Sequence, residues 1–172
     1  MVLFVVIMVA TGANNPTIFN FTKGSSTSAA GSAAKAAPAT ATIGQSVRDG
    51  RFAFTVSTMA RPARTLRDRL GTLETAEGVF VVVRVDVTNI GYEAGTLTAT
   101  NQFLISDQGK RFATSAAISS LAGAETIFLE KINPGRTVND APLLFDVPAG
   151  TRIASIELHD YLSSTGVKVR LS

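Results

Sequence analysis

Val79, Val81, Val83, Val85 and Val87 recur at every second position, with Phe80, Val82, Arg84, Asp86 and Thr88 between them. Successive side chains of an extended strand point to opposite faces, so this spacing puts the five valines on one face and a partly polar set on the other. On a helix the same residues would be scattered around the axis. β-Branched side chains are stiff and fit a pleated surface. The segment therefore predicts a central strand over Val79 to Thr88, closed by Asn89-Ile90-Gly91, whose valine face needs a second layer to cover it.

Shorter period-two segments surround it. Asp49-Gly50 separates Ser46-Val47-Arg48 from Arg51 to Val56, which predicts a tight hairpin turned on Asp49-Gly50, with Phe52, Phe54 and Val56 sharing a face. Gln102 to Asp107 places Phe103 and Ile105 together, and Asp107-Gln108-Gly109 turns the chain into Lys110-Arg111-Phe112. Asn133-Pro134-Gly135 leads into Arg136 through Val147, where Leu143, Phe145 and Val147 alternate with Leu144 and Asp146. Pro148-Ala149-Gly150 precedes Ile153 to Leu158, and Gly166 precedes Val167 to Leu171. Two stretches break the rhythm: Arg61 to Leu70 and Ala113 to Ala122 each read as a short helix or a loop, with Gly71 and Gly123 where helix ends would want them. About seven to nine short strands with regular turns predict an all-β, immunoglobulin-like antiparallel β-sandwich.

The chain before this pattern has another character. Residues 1–13 contain the unbroken apolar run Val2 to Ala10, followed by Thr11-Gly12-Ala13 and then Asn14-Asn15-Pro16. Helical residues from Val2 to Ala10 would span roughly 14 Å at about 1.5 Å each, short of the roughly 30 Å hydrocarbon core. The run reads as an apolar export signal or a truncated membrane anchor; the basic residues expected before it are missing, which suits a start upstream of Met1. Residues 14–42 read as a flexible linker: from Lys23 to Thr42, 17 of 20 residues are Ala, Ser, Thr or Gly. Such a segment buries too little to offset its ordering entropy, so a disordered tether with a reach of about 25 Å is expected. The sandwich is expected over residues 43–172.

Composition removes several chemistries. There is no cysteine, so disulfides, thiolate nucleophiles and cysteine-held zinc are excluded. The formal net charge of +3 carries little weight: with Lys23 and Lys35 in the linker, 14 of the 16 basic residues face all 13 acidic ones from Ile43 onward. Nucleic acid is not an expected partner, because no recognised binding motif accompanies the arginines.

Three blocks carry a family resemblance: Ile43 to Val56, Gly78 to Gly91, and Asn133 to Val138 continuing through Phe145-Asp146-Val147-Pro148. In that order they resemble a secreted or membrane-anchored, immunoglobulin-like domain-of-unknown-function family of actinobacteria and other Gram-positive bacteria. That family is similar to the mycobacterial immunoprotective extracellular protein and is sometimes labelled after telomeric-repeat-binding factors. The ending from Leu158-His159-Asp160 to Leu171 also fits. The resemblance implies a β-sandwich outside the membrane, behind a signal peptide or membrane helix and a Ser/Ala/Pro-rich linker. It implies no established activity, so no catalytic residues are carried over. The Arg-rich stretch from Arg61 to Arg69 and the short N-terminus depart from the family pattern.

Candidate sites are sparse. His159 is the only histidine, and adjacent strand residues face opposite ways, so His159 and Asp160 are not expected to orient one another; a surface or strand-end position is expected for the histidine. Asp49, Asp107, Asp140 and Asp160 lie near turns without calcium-loop spacing, and turn chemistry accounts for Asp49 and Asp107. No catalytic residue, metal site or cofactor is expected. Arg61, Arg64, Arg67 and Arg69 form a candidate contact for an anionic partner, set against a plain solvated loop. Tyr92 and Tyr161, beside predicted turns, are candidate loop contacts. The expected function is a non-catalytic extracytoplasmic binding or structural module of the cell envelope, meeting an unknown protein or envelope polymer, with membrane association through the N-terminus. The alternatives are a membrane-associated accessory subunit or surface-interaction protein, and an enzyme built from scattered loop carboxylates.

Overall fold

The computed structural model describes residues 40–67, 71–114 and 131–172. The expected export segment, nearly all of the linker, Arg69 and most of the stretch from Ala113 to Ala122 lie outside the described residues.

The hairpin of β2 (Ser46–Asp49) and β3 (Phe52–Met59) opens the first sheet. Asp49 pairs with Phe52, so the two central turn residues are Gly50 and Arg51, one position later than the Asp-Gly pattern predicts. Gly50 takes φ 56°, the left-handed conformation such a tight turn needs at its first central position. This shift makes Asp49 a strand residue and turns its carboxylate inward.

The valine segment is the centre of β5 (Leu73–Asn89), which is longer than its alternation predicts. One edge of β5 pairs with β3 along Val83 to Asn89 and then with β4 (Ala63–Arg67) along Leu73 to Phe80; the other edge pairs with β8 (Thr137–Val147). The stretch expected as helix or loop from Arg61 is thus largely an edge strand. Pairing with the N-terminal extension of β5 overrides its weak helical pattern, as tertiary context commonly does. Within β8, Asn139 and Asp140 face Asp86 alone as a bulge, where Asp140 has φ 58° and receives Arg84 at 2.7 Å.

The second sheet runs β1 (Ala41–Thr42), β10 (Val167–Arg170), β9 (Ile153–Leu158), β6 (Phe103–Ser106) and β7 (Arg111–Ala113). All its pairings are antiparallel except β1 with β10. The described residues thus form the expected all-β sandwich; ten strands are present rather than seven to nine, β1 and β4 among the additions. A 3-10 turn, Ala99–Asn101, leads into β6.

The two sheets share one core. Val81, Val83, Val85 and Val87 meet Phe52, Phe54 and Val56 of β3 and Leu143, Phe145 and Val147 of β8, and are covered by Leu104, Ile156, Leu158 and Val169 of the second sheet. Burying such side chains stabilises by roughly 1.5 to 3 kcal/mol each before entropy is counted. In β6 it is Leu104 that joins this core, so Phe103 and Ile105 share the opposite face. Gly78 marks a close approach of β5 to β8: a Cβ there would lie 2.0 Å from the Val147 carbonyl oxygen.

Candidate functional site

One end of the sandwich gathers three loops: the Gly50-Arg51 turn, the segment Ile90 to Glu93 after β5, and the segment His159 to Gly166 between β9 and β10. The last of these must leave one sheet strand and re-enter its neighbour, and its backbone polar groups need partners if its ends are to be buried. Asp49 supplies them. Its Oδ2 accepts the Asp160 amide at 2.7 Å and the Ser164 hydroxyl, and its Oδ1 accepts the Gly166 amide at 3.1 Å. A carboxylate assigned to turn chemistry by its Asp-Gly context instead pins both ends of a distant loop, buried to 8% exposure.

Asp160 repeats the device in the other direction. Its Oδ2 accepts the Arg51 amide at 3.0 Å and lies 3.3 Å from Arg51 Nε, tying the loop to the β2–β3 turn. Gly50 leaves room for this contact, since a Cβ there would fall 2.1 Å from the same oxygen. On the neighbouring side, the Asn89 side chain donates to the carbonyls of Glu93 and Ile132 and accepts the Gly91 amide, shaping the Ile90 to Glu93 loop from within. Buried polar groups that are fully bonded in this way make a loop rigid and unique in shape.

These loops frame an open cleft of about 340 Å³ lined by Arg51, Gly91, Tyr92, Glu93 and Asp160. Tyr92 is fully exposed beside it, and Tyr161 and Leu162, directly after Asp160, are exposed at 53% and 70%. Ile90 is exposed as well. The structure therefore brings Tyr92 to the cleft and Tyr161 to the loop whose Asp160 lines it. It does not bring the arginines there. Arg61, Arg64 and Arg67 are exposed along β4 and its approach, and Arg67 donates to the Gly71 carbonyl at 2.9 Å. A second cleft, of about 460 Å³, lies at the opposite end between Ser106 to Lys110 and Pro148 to Arg152, and Asp107 belongs to it.

His159 is buried to 4% exposure, not on the surface, and follows the last residue of β9. Asp160 does not orient it. Its Nε2 lies 2.9 Å from Glu157 Oε1, its Nδ1 lies 3.2 Å from Ser164 Oγ, and Phe103 meets its ring edge-on at 5.8 Å. Glu157 also meets Arg111 at 2.6 Å and Lys168 at 3.4 Å. Burial opposes ionisation of Glu157, but the His159 hydrogen bond, Arg111 and Lys168 outweigh it and hold this carboxyl below the ordinary glutamate range.

Carboxylate, imidazole and hydroxyl thus stand in a row, the connectivity of a hydrolytic triad. The bonding around it is that of a clamp. The Ser164 hydroxyl faces two pure acceptors, Asp49 Oδ2 and the Tyr161 carbonyl. The amides of Asp160 and Gly166 are spent on Asp49, and that of Ser164 on Tyr161. None of these three amides is left to stabilise an oxyanion. The sequence signal that could have revealed this network was a buried-face parity of Asp49, masked by the turn reading of Asp-Gly.

The family model described as "Domain of unknown function (DUF4352)" matches residues 41–169. The chain belongs to the DUF4352 family. This DUF4352 domain is similar in fold to the yjhA protein from Bacillus subtilis, at TM-score 0.56 and 15% identity over 77% of this chain and 99% of that one. It is also similar to a conserved hypothetical protein from Bacillus anthracis, at TM-score 0.50 and 12% identity over 77% and 95% of the two chains. At these identities the likeness concerns the fold alone. No curated protein matches the chain significantly.

Proposed function

We propose that this DUF4352 domain is a non-catalytic binding module of the cell envelope, held outside the cytoplasm, whose recognition surface is the loop end around Tyr92, Tyr161 and Leu162. The observation that carries this reading is the pairing of exposed large side chains with hydrogen-bonded loop backbones: Tyr92, Tyr161 and Leu162 project from loops held by Asn89, Asp49 and Asp160. Ring and aliphatic groups held in advance lose little entropy on binding, which is the economy of recognition loops on a sandwich. The extracytoplasmic setting is supported by the apolar run Val2 to Ala10, the Ala/Ser/Thr-rich segment after it and the resemblance to secreted families. The arginines of β4 are secondary in this reading, since they serve an edge strand.

The test is fractionation and cross-linked pull-down from cells carrying the full native N-terminus, comparing wild type with Tyr92→Ala and Tyr161→Ala/Leu162→Ala. Recovery in the membrane or culture fraction, with partner capture lost in the loop variants and kept in Arg61→Ala/Arg64→Ala/Arg67→Ala, is the expected result. Cytoplasmic recovery, or capture indifferent to the loop variants, overturns it.

A further inference from the structure

The ring of His159 has two hydrogen-bonding neighbours: the Glu157 carboxylate, which accepts, and the Ser164 hydroxyl, which can accept or donate. Glu157, kept ionised by Arg111 and Lys168, offers a carboxylate oxygen to Nε2. Ser164 offers its oxygen to Nδ1 as long as its single hydroxyl proton is directed at Asp49 Oδ2 or the Tyr161 carbonyl. Every contact is satisfied at once only when both ring nitrogens carry a proton. The charged and titratable groups around the ring are Glu157 on β9, Arg111 on β7 through Glu157 and Phe103, Lys168 on β10 through Glu157, and Asp49 on β2 through Ser164; Asp160 and Arg51 lie one residue further along the loop. Gly166 closes the remaining side, where a Cβ would lie 2.4 Å from the ring, so the imidazole has little room to turn away.

We propose that His159 is a proton-operated latch on the loop from Asp160 to Gly166: the doubly protonated ring leaves the Ser164 hydroxyl on Asp49 and the loop fastened, and loss of the Nδ1 proton draws that hydroxyl away. The ring proton leaves to solvent, and Nε2 keeps its own against Glu157. Nδ1 then becomes an acceptor, the Ser164 hydroxyl turns to it, and Asp49 retains the amides of Asp160 and Gly166 alone. The proton binds the fastened loop better than the released one, so by linkage the fastened form gains population as the pH falls. Tyr161 and Leu162 ride on this loop. The inference therefore rests on the recognition reading above for its consequence, though not for its mechanism.

The experiment is NMR of the full chain from about pH 5 to 8, a window in which Glu157 stays ionised. It follows the ring nitrogens of His159, the amides of Asp160, Ser164 and Gly166, and the Leu162 methyl groups. Expected are a cationic ring at the acid end, a neutral ring protonated on Nε2 at the other, and loop signals that move with the same midpoint. In Ser164→Ala the ring still titrates and the loop signals cease to follow it; in His159→Gln they are independent of pH. A ring neutral throughout, wild-type loop signals that ignore the ring, or loop signals in Ser164→Ala that still track it, would each overturn the latch. Because wild-type ring and loop are read on the free protein, the first two of these outcomes overturn the latch whether or not either variant folds, and independently of the partner-capture test.

Discussion

The side-chain amide of Gln102 pairs with the backbone of His159 as one strand pairs with another: Oε1 accepts the His159 amide at 2.8 Å, and Nε2 donates to the His159 carbonyl at 2.9 Å. Gln102 is fully buried just before β6 and extends the β6–β9 ladder by one residue at the point where β9 ends. Replacing Gln102 by Leu keeps the volume and leaves the His159 amide and carbonyl buried without partners, a loss of about 2 to 4 kcal/mol. Urea unfolding at unchanged slope checks this; a midpoint equal to that of wild type would show that water or a shifted backbone replaces the side chain.

Gly78 is required by a close approach rather than by its backbone angles. In Gly78→Ala the new methyl would press on the Val147 carbonyl at 2.0 Å, against the end of β8. Asp146, whose carboxylate accepts the amides of Glu77 and Gly78 at 2.8 and 3.0 Å, fixes the same spot. The strands must part, at a cost on the order of 1 to 3 kcal/mol or more. Thermal unfolding of the variant should show a clear drop, while Gly109→Ala, with open space at its Cβ, is limited to the strain of its φ of 79°.

Glu157 sets an acid limit on stability. Its carboxyl is held below the ordinary glutamate range in the folded state, so the stabilisation is complete above the unfolded value and disappears as the pH falls through the lower, folded one. Wild type is therefore expected to lose stability progressively below about pH 4.3, glutamate's ordinary value. In Glu157→Gln this share of the pH dependence is absent, so melting curves of the two proteins should converge as the pH falls. Curves that stay parallel would show that Arg111, Lys168 and His159 act on Glu157 too weakly to matter.

The arginines along β4 are expected to protect its edge. Among the described residues β4 pairs with β5 alone. Charged side chains on such an edge deter pairing between molecules. Replacing Arg61, Arg64 and Arg67 together by Thr should change unfolding free energy by less than about 0.5 kcal/mol per site, yet raise concentration-dependent association in light scattering. Unchanged solubility would remove the protective role.

How far the strands could be read in advance depended on whether one face was buried. The valine alternation of β5, the Phe52-Phe54-Val56 face and the Leu143-Phe145-Val147 face are all as periodicity predicts, because burial on one side imposes period two on the residues themselves. Arg61 to Arg67 carried no such pattern. Exposed edge residues are chosen for charge, and their strand conformation comes from the partner they pair with.

By itself the sequence determined that this chain forms a two-layer β structure, since the alternating valines and the turn residues are local constraints that hold whatever lies opposite. It also left Tyr92 and Tyr161 recognisable as loop residues. Only the tertiary structure decided that Asp49, 111 positions before Asp160, closes the loop that carries Tyr161, and that Glu157, His159 and Ser164 stand in one hydrogen-bonded row. Hydrogen bonds between residues so far apart leave no periodic trace in the chain. They arise where strand order and register bring the ends of β2, β9 and β10 together.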